Sequence, residues 1–336
     1  MATLFLVHAA LVTGALSLAM VPGADEELAV VSLAEESDAG AERHWSVPPI
    51  GRFARLWARR YGSEEHLQGP MPSSIQLVLG LFTVAPDAEY REVVRGTWLR
   101  QAGVCYWRRA PKEGCSVYVA FVVGRSGVGE PVSHGEGERS VANMSAEEVE
   151  RTHGEEGMLV LDTPENLNGN KSLVWFDTAR RLFPWATHVG KTDMDTYPLL
   201  HKLVRRMEAG APCSRRHGPY EVIGRPHAGF GPRFEHGCQS ASCPQFVSWQ
   251  DERVYVARPG QPWNFLSGEF YVLSMPLVRQ VDWTERGPGG SEDLQVTRRV
   301  GKAAGSHNFC VVLRRLDSWY HRNRLSNASY ANDLAG

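Results

Sequence analysis

Short apolar runs recur along the chain at the length of single strands. Ile75 to Val84 is mostly apolar, and Val117 to Gly124 and Met158 to Asp162 follow the same pattern. Runs of this length without polar alternation predict strands buried on both faces. Between them the spacing becomes helical. Asp87 to Leu99 sets Val93, Val94 and Trp98 on one face and Arg91, Arg95 and Arg100 on others. Ser145-Ala146-Glu147-Glu148 matches a capping box that opens a short helix. Ser172 to Phe183 presents Val174, Phe176, Ala179 and Leu182 for packing on a sheet, and Pro184 ends it. Ala186 to Val189 reads as the end of a buried strand, with Gly190 and the polar residues after it as the exit turn. Strands alternating with helices in this way imply an α/β chain with a parallel, doubly wound sheet.

Pro198 to Ala209 is expected to be helical and leads into a Gly-, Pro- and Cys-rich insert that reaches about Gln250. Val254 to Val256 and Phe265 to Ser274 read as strands, and Gly268 between bulky neighbours marks a close approach of backbone or ligand. Met275 to Val281 should be a short helix. Gly287 to Ser291 is a hinge that delivers Glu292 and Asp293 to a helix over Leu294 to Val300, and Phe309 to Leu313 is a closing strand. Arg125 to Ser140 reads as a loop. Upstream, Pro22 to Pro72 has no strong buried pattern and reads as a stem. Within it, Arg52 to Arg60 can form an amphipathic helix, read as a solvated linker helix in preference to one resting on the domain or a membrane.

With 336 residues, 43% of them hydrophobic, the chain can bury one full-sized core. A net charge of −2, with Lys and Arg dispersed, argues against nucleic acid as a partner. Leu4 to Val21 lacks Asp, Glu, Lys and Arg, as in a signal-anchor or a long secretory signal. The six cysteines, Cys105, Cys115, Cys213, Cys238, Cys243 and Cys310, then favour disulfides, with local pairing available to Cys105/Cys115 and Cys238/Cys243. The rival is a zinc cluster of His236, Cys238 and Cys243 with Cys213 or His217, at irregular spacing. Sequons at Asn143, Asn170 and Asn327 agree with a lumenal compartment.

The chemistry that stands out is Lys191-Thr192-Asp193-Met194-Asp195, just beyond a predicted strand end. In an open α/β sheet, ligands bind in the crevice outside the strands' carboxyl ends. Aspartates at i and i+2 on an extended segment can both reach one hard cation whose shell phosphate oxygens complete. An isolated Asp-x-Asp also arises by chance, so it gains meaning only from its surroundings. For Asp293, simple capping of a helix start is the plain alternative.

Several stretches taken in order resemble glycosyltransferase family 31, the β-1,3-galactosyl- and N-acetylglucosaminyltransferases, and in particular its kinetoplastid branch. Arg91-Glu92-Val93-Val94-Arg95-Gly96-Thr97-Trp98 is similar to the family's opening motif. Phe121-Val122-Val123-Gly124, the turn Asp162 to Lys171, Lys191 to Asp195, Leu266 to Ser274 and Glu292-Asp293-Leu294 follow in the family's order. Met194 stands where the family has a middle acid.

The resemblance implies a GT-A fold, a Rossmann-like sheet of mixed strands with helices on both faces. It implies a catalytic domain over residues 73–320, preceded by a signal segment (1–21) and stem (22–72) and followed by a tail (321–336). The expected function is an inverting hexosyltransferase that moves galactose or N-acetylglucosamine from UDP-galactose or UDP-N-acetylglucosamine to a glycan acceptor hydroxyl through a β-1,3 linkage. A divalent cation such as Mn²⁺ would assist. The setting would be the Golgi membrane, held by the N-terminal segment in type II orientation with the domain lumenal. Carried over by position, Asp195 is the principal metal ligand, Asp193 supports the metal or the nucleotide, and Asp293 is the general base. His307 is a second metal-ligand candidate, Arg95 and Lys191 are phosphate or uracil contacts or else structural ion pairs, and Gly268 and Glu269 face the acceptor. The rival readings are a catalytically silent, lectin-like relative and a metal-dependent phosphohydrolase.

Overall fold

The structure is a computed structural model. It describes residues 49–63, 70–126, 146–165, 170–209, 220–226, 253–257, 266–285, 291–307, 309, 311–315 and 318–321. In chain order the strands are β1 (Leu77–Phe82), β2 (Val104–Tyr106), β3 (Val117–Ser126), β4 (Met158–Pro164), β5 (His188–Asp193), β6 (Thr196–Pro198), β7 (Glu221–Pro226), β8 (Arg253–Ala257), β9 (Leu266–Ser274), β10 (Val311–Arg315) and β11 (Trp319–His321). The helices are α1 (Ile50–Ser63), α2 (Ala88–Gly96), α3 (Ala146–His153), α4 (Ser172–Leu182), α5 (Leu200–Ala209), α6 (Met275–Gln280) and α7 (Glu292–His307).

One nine-stranded sheet runs β2-β3-β1-β5-β9-β7-β10-β8, with β4 also paired to β3. β1 lies parallel between β3 and β5, and β9 runs antiparallel between β5 and β7. Strand residues alternate between two cores, as a period of two requires. Leu77, Leu79 and Leu81 face Phe53, Trp57, Tyr90 and Leu203 from α1, α2 and α5. Val78 and Phe82 face Trp175, Phe176, Val278 and Val296 from α4, α6 and α7. Helices therefore cover both faces of a mixed sheet, the GT-A type of Rossmann-like architecture.

Three segments differ from the sequence reading. β5 does not end at Val189 but runs on to Asp193, because Gly190 is a packing glycine. A Cβ there would stand 2.8 Å from Val272 and 3.0 Å from Leu79 on the flanking strands, and its carbonyl accepts the Trp175 indole N–H at 3.0 Å. The segment taken as an irregular insert contains β7, a central strand. The helix read as a solvated linker is α1, whose Phe53 and Trp57 rings are 4.2 Å apart and buried; Phe53 meets Tyr90 at 4.9 Å and Trp57 meets Tyr197 at 5.8 Å. Apolar residues at i and i+4 make one face, and here that face is core.

Cys105 and Cys115 form a disulfide with Cα atoms 6.0 Å apart. The other four cysteines, the histidines of the rival zinc cluster, the insert aromatics Phe230, Phe234, Phe246 and Trp249, the apolar segment near the N-terminus, and Asn143 and Asn327 lie outside the described residues. Among the described residues no helix is long and apolar enough to cross a membrane.

Candidate active site

Four elements converge at the carboxyl ends of β1 and β5. β5 brings Lys191 and Asp193, and the turn after it brings Asp195. Antiparallel pairing of Thr192 with Phe270 sets the start of β9, with Gly268, beside them. The amino ends of α4 and α7 add Ser172, Glu292 and Asp293.

Lys191 is the centre of this cluster. Its Nζ lies 2.6 Å from Asp193 Oδ1 and 2.6 Å from Glu292 Oε1, and it donates to the Gly268 carbonyl. Burial alone would lower its pKa, but the charges of Asp193 and Glu292 more than offset that and raise it. Glu292 also accepts the Ser172 hydroxyl at 2.5 Å and the Tyr271 hydroxyl at 2.8 Å, so both its oxygens are engaged. A Cβ on Gly268 would stand 3.1 Å from Glu292 Oε1, 3.6 Å from Asp293 Oδ2 and 3.7 Å from Lys191 Nζ. A side chain at 268 would push the Glu292 carboxylate back by a few tenths of an ångström.

Asp193 is lifted to a pKa of about 6. Burial is the largest cause; the Lys191 charge opposes it, and repulsion from Asp195 and Glu292 reinforces the rise. Asp293 is also raised above the usual carboxylate range: burial leads, a hydrogen bond from Ser291 opposes it, and Glu292 reinforces it. Its Oδ1 accepts the N–H of the next residue, Leu294, at 2.8 Å inside the first turn of α7, so it is not the helix cap expected from the sequence, while Oδ2 lies on the Gly268 side.

This donor set suits a hard divalent cation bound through few protein ligands. Asp193 and Asp195 crowd each other, Glu292 is saturated, and the Asp193 side chain keeps 30% of its surface open. Among the described residues no three His, Cys, Asp or Glu side chains form a metal-holding group. The site therefore offers at most two carboxylates, and phosphate and water oxygens would complete the shell, as for a cation shared with a substrate.

The structure separates two residues from this centre. His307 is exposed at the far end of α7; from Asp293 to His307 the helix rises about 21 Å at ~1.5 Å per residue, too far for a ligand shared with Asp195. Arg95 is a structural ion-pair residue, 2.5 Å from Glu92 and 3.0 Å from Glu155, with its guanidinium over the Phe121 ring. Glu269 does lie at the edge of the site, but Arg225 and the Trp319 indole N–H (3.4 Å) hold its carboxylate. Its carbonyl accepts the hydroxyls of Thr192 and Thr196.

Other residues of the site were not singled out from the sequence. Buried Lys171 donates to the Thr83 carbonyl at 2.8 Å and to Glu165 at 2.6 Å, and Glu165 accepts the Gly124 N–H at 2.5 Å. This bridge ties the exits of β1 and β3. Arg91, fully buried, grips Glu155 through two nitrogens and donates to Thr83 Oγ1 and the Val84 carbonyl. The available signals were an arginine beside buried Tyr90 and Val94, and an acid and a lysine bracketing one turn.

Acids gathered at the carboxyl ends of β1 and β5 stand where an open α/β sheet binds its ligands. Residues 89–287, more than half of the chain, match the galactosyltransferase family. The chain belongs to that family, whose members transfer hexosyl groups, generally from UDP-sugars to glycan acceptors and often with a divalent cation. The match includes Lys191, Asp193, Asp195 and Gly268 and stops short of Glu292 and Asp293. No curated protein matches the chain. Among solved structures it is similar to the inositol-1-phosphate CTP transferase from T. maritima, at 12% identity over 80% of this chain and 96% of that one, with a TM-score of 0.28. A likeness that distant carries no argument here.

Proposed function

We propose that the protein is an inverting UDP-sugar hexosyltransferase of the kinetoplastid galactosyl/N-acetylglucosaminyl type. It would form a β-1,3 linkage on a glycan acceptor. The observation that carries this reading is the meeting of Asp193 and Asp293 around Lys191 and Gly268 at the carboxyl ends of β1 and β5, with Asp195 near enough to repel Asp193. Asp195 and Asp193 would hold a divalent cation, which when bound would supply charge stabilisation for the departing UDP. Lys191 and Glu292 keep Asp193 and Gly268 in place. Asp293, its pKa raised, takes the proton of the acceptor hydroxyl as that oxygen attacks the anomeric carbon from the side opposite UDP. Residues 1–21 would anchor the chain in the Golgi membrane with the catalytic domain lumenal.

The test is UDP release and sugar transfer from a panel of UDP-sugars, with and without Mn²⁺, on the oxidised protein. One donor should turn over in a cation-dependent way. Asp195→Ala should abolish that turnover, and Asp293→Asn should lower it by about 10²–10⁴-fold with UDP binding retained. Retained UDP binding with no turnover of any donor would identify a silent, lectin-like relative. Release of inorganic phosphate without transfer would identify a phosphohydrolase.

A further inference from the structure

β3 pairs with two strands on the same edge, β2 along its first half and β4 along its second. Where β2 leaves and β4 enters, the edge opens into a cleft of about 470 Å³ lined by Tyr106, Trp107, Arg108, Lys112, Glu156 and Gly157 among others. In the strand order this edge is three strands from β5, about 14 Å across the sheet at ~4.8 Å per strand, so it is separate from the carboxylate cluster.

The walls of this cleft are built rather than incidental. Gly157 has φ +77°, and a Cβ on it would stand 2.4 Å from the Tyr106 ring, so the ring lies directly against the backbone of the β4 entry. Trp107 is fixed by its indole N–H to the Met158 carbonyl at 3.1 Å and by its backbone N–H to Val119 at 2.9 Å. The loop that carries Arg108 and Lys112 is closed by the Cys105–Cys115 disulfide. It is pinned again by Trp185 on the Arg109 carbonyl (2.9 Å) and by the Tyr118 hydroxyl at the Lys112 backbone (2.8 Å). Two half-buried aromatic rings thus stand in a preformed cleft, with the exposed cations Arg108 and Lys112 and the single exposed acid Glu156 among its lining residues.

We infer that this cleft is a second carbohydrate-binding site for an acidic sugar unit, one that bears a carboxylate or a phosphate. A sugar ring presents an apolar C–H face that stacks on Trp107 or Tyr106, and its hydroxyls tolerate the open, half-polar setting. The excess of cations over acids selects a ligand with a negative group, and Arg108 offers that group a planar fork. The choice of a sugar over another anion rests on the glycosyl-transfer reading. A site three strands from the reaction centre would hold a distant part of a glycan while another part reacts.

The experiment is saturation-transfer NMR and calorimetry on the full chain with its disulfides intact. The probes are methyl β-glucuronide, methyl β-glucoside and inorganic phosphate. The glucuronide is expected to bind saturably in the millimolar range, with and without saturating UDP, and more tightly than the glucoside. Arg108→Glu/Lys112→Glu, which alters only exposed side chains, should weaken it by about fivefold or more, the size expected from two exposed charge contacts. Donor turnover on a small acceptor should stay unchanged in that variant. Absence of saturable binding, binding undiminished in the double variant, or displacement by UDP would overturn the inference. Equal binding of bare phosphate would overturn it too. Failure of the transfer reading would show separately, as absent turnover in a protein whose glucuronide binding behaves as stated.

Discussion

An ammonium group without solvent contact persists only where carboxylates close around it, and Lys191 has Asp193 and Glu292 at 2.6 Å each. Removing one partner from a buried ion pair leaves the rest uncompensated, at a cost of about 3–5 kcal/mol. Lys191→Met should therefore destabilise the protein by that order, and adding Glu292→Gln should recover part of the loss. Chemical denaturation of the three proteins measures this, and an unshifted midpoint in the single variant would remove Lys191 from its central place. The acids of this site were legible in the sequence because Asp193, Asp195 and Asp293 stand in recognisable patterns. Their partner was not. Glu292 lies 101 residues from Lys191, and no local spacing announces that pair. His307 illustrates the converse: placing it correctly required knowing that α7 runs unbroken from Glu292 to His307, past Val300 where the expected helix ended.

At the scale of elements, strands and helices with strong periodicity were legible, and misreadings fell where a residue's meaning depends on its neighbours. Gly190 looks like a turn glycine until Leu79 and Val272 are seen against it. Gly80 is a similar case, since a Cβ there would stand 2.6 Å from the Trp175 ring, which the strand accommodates only by lacking one. β7 was missed because Glu221–Pro226 is a short strand in a segment dominated by Gly, Pro and Cys, where composition hides it. α1 was visible as a helix, but a sequence shows an apolar face without showing what covers it. Because Phe53 and Trp57 are core residues, a chain started at residue 64 loses two buried aromatic side chains, and a chain started at residue 45 keeps them. Trp57→Ala alone should cost about 3–5 kcal/mol. The shorter chain should melt well below the longer one in thermal denaturation. Equal melting temperatures would mean that α1 adds nothing to the fold.

For the molecule as a whole, the layered α/β class followed from alternating strand and helix signals, whereas the order of strands did not, because β9 inserts between β5 and β7 by pairing remote in sequence. That long-range pairing is braced at the ends of the strands opposite the active site. Glu221 at the start of β7 sits 2.8 Å from Arg314 on β10 and 3.5 Å from His188 at the start of β5. Burial pushes the Glu221 carboxyl up, but the hydrogen bond from His188 and the charge of Arg314 outweigh it, so its pKa falls below the ordinary 4.5. Glu155 is lowered in the same sense: burial opposes, and the hydrogen bonds and charges of Arg91 and Arg95 prevail. A carboxylate with a depressed folded pKa contributes stability that is complete above its unfolded pKa and is lost as pH falls towards the folded value. The stability these two carboxylates contribute should thus hold down to about pH 4.5 and be lost progressively below, whereas the raised Asp193 and Asp293 act in the opposite sense. Glu221→Gln carries no proton to gain, so its melting temperature should fall less steeply with acid than that of the unaltered protein. At neutral pH it should start lower, because Arg314, fully buried, then lacks its carboxylate. Melting temperatures of both proteins between pH 7 and pH 3 decide the matter; parallel acid slopes would show that this brace does not set the pH response.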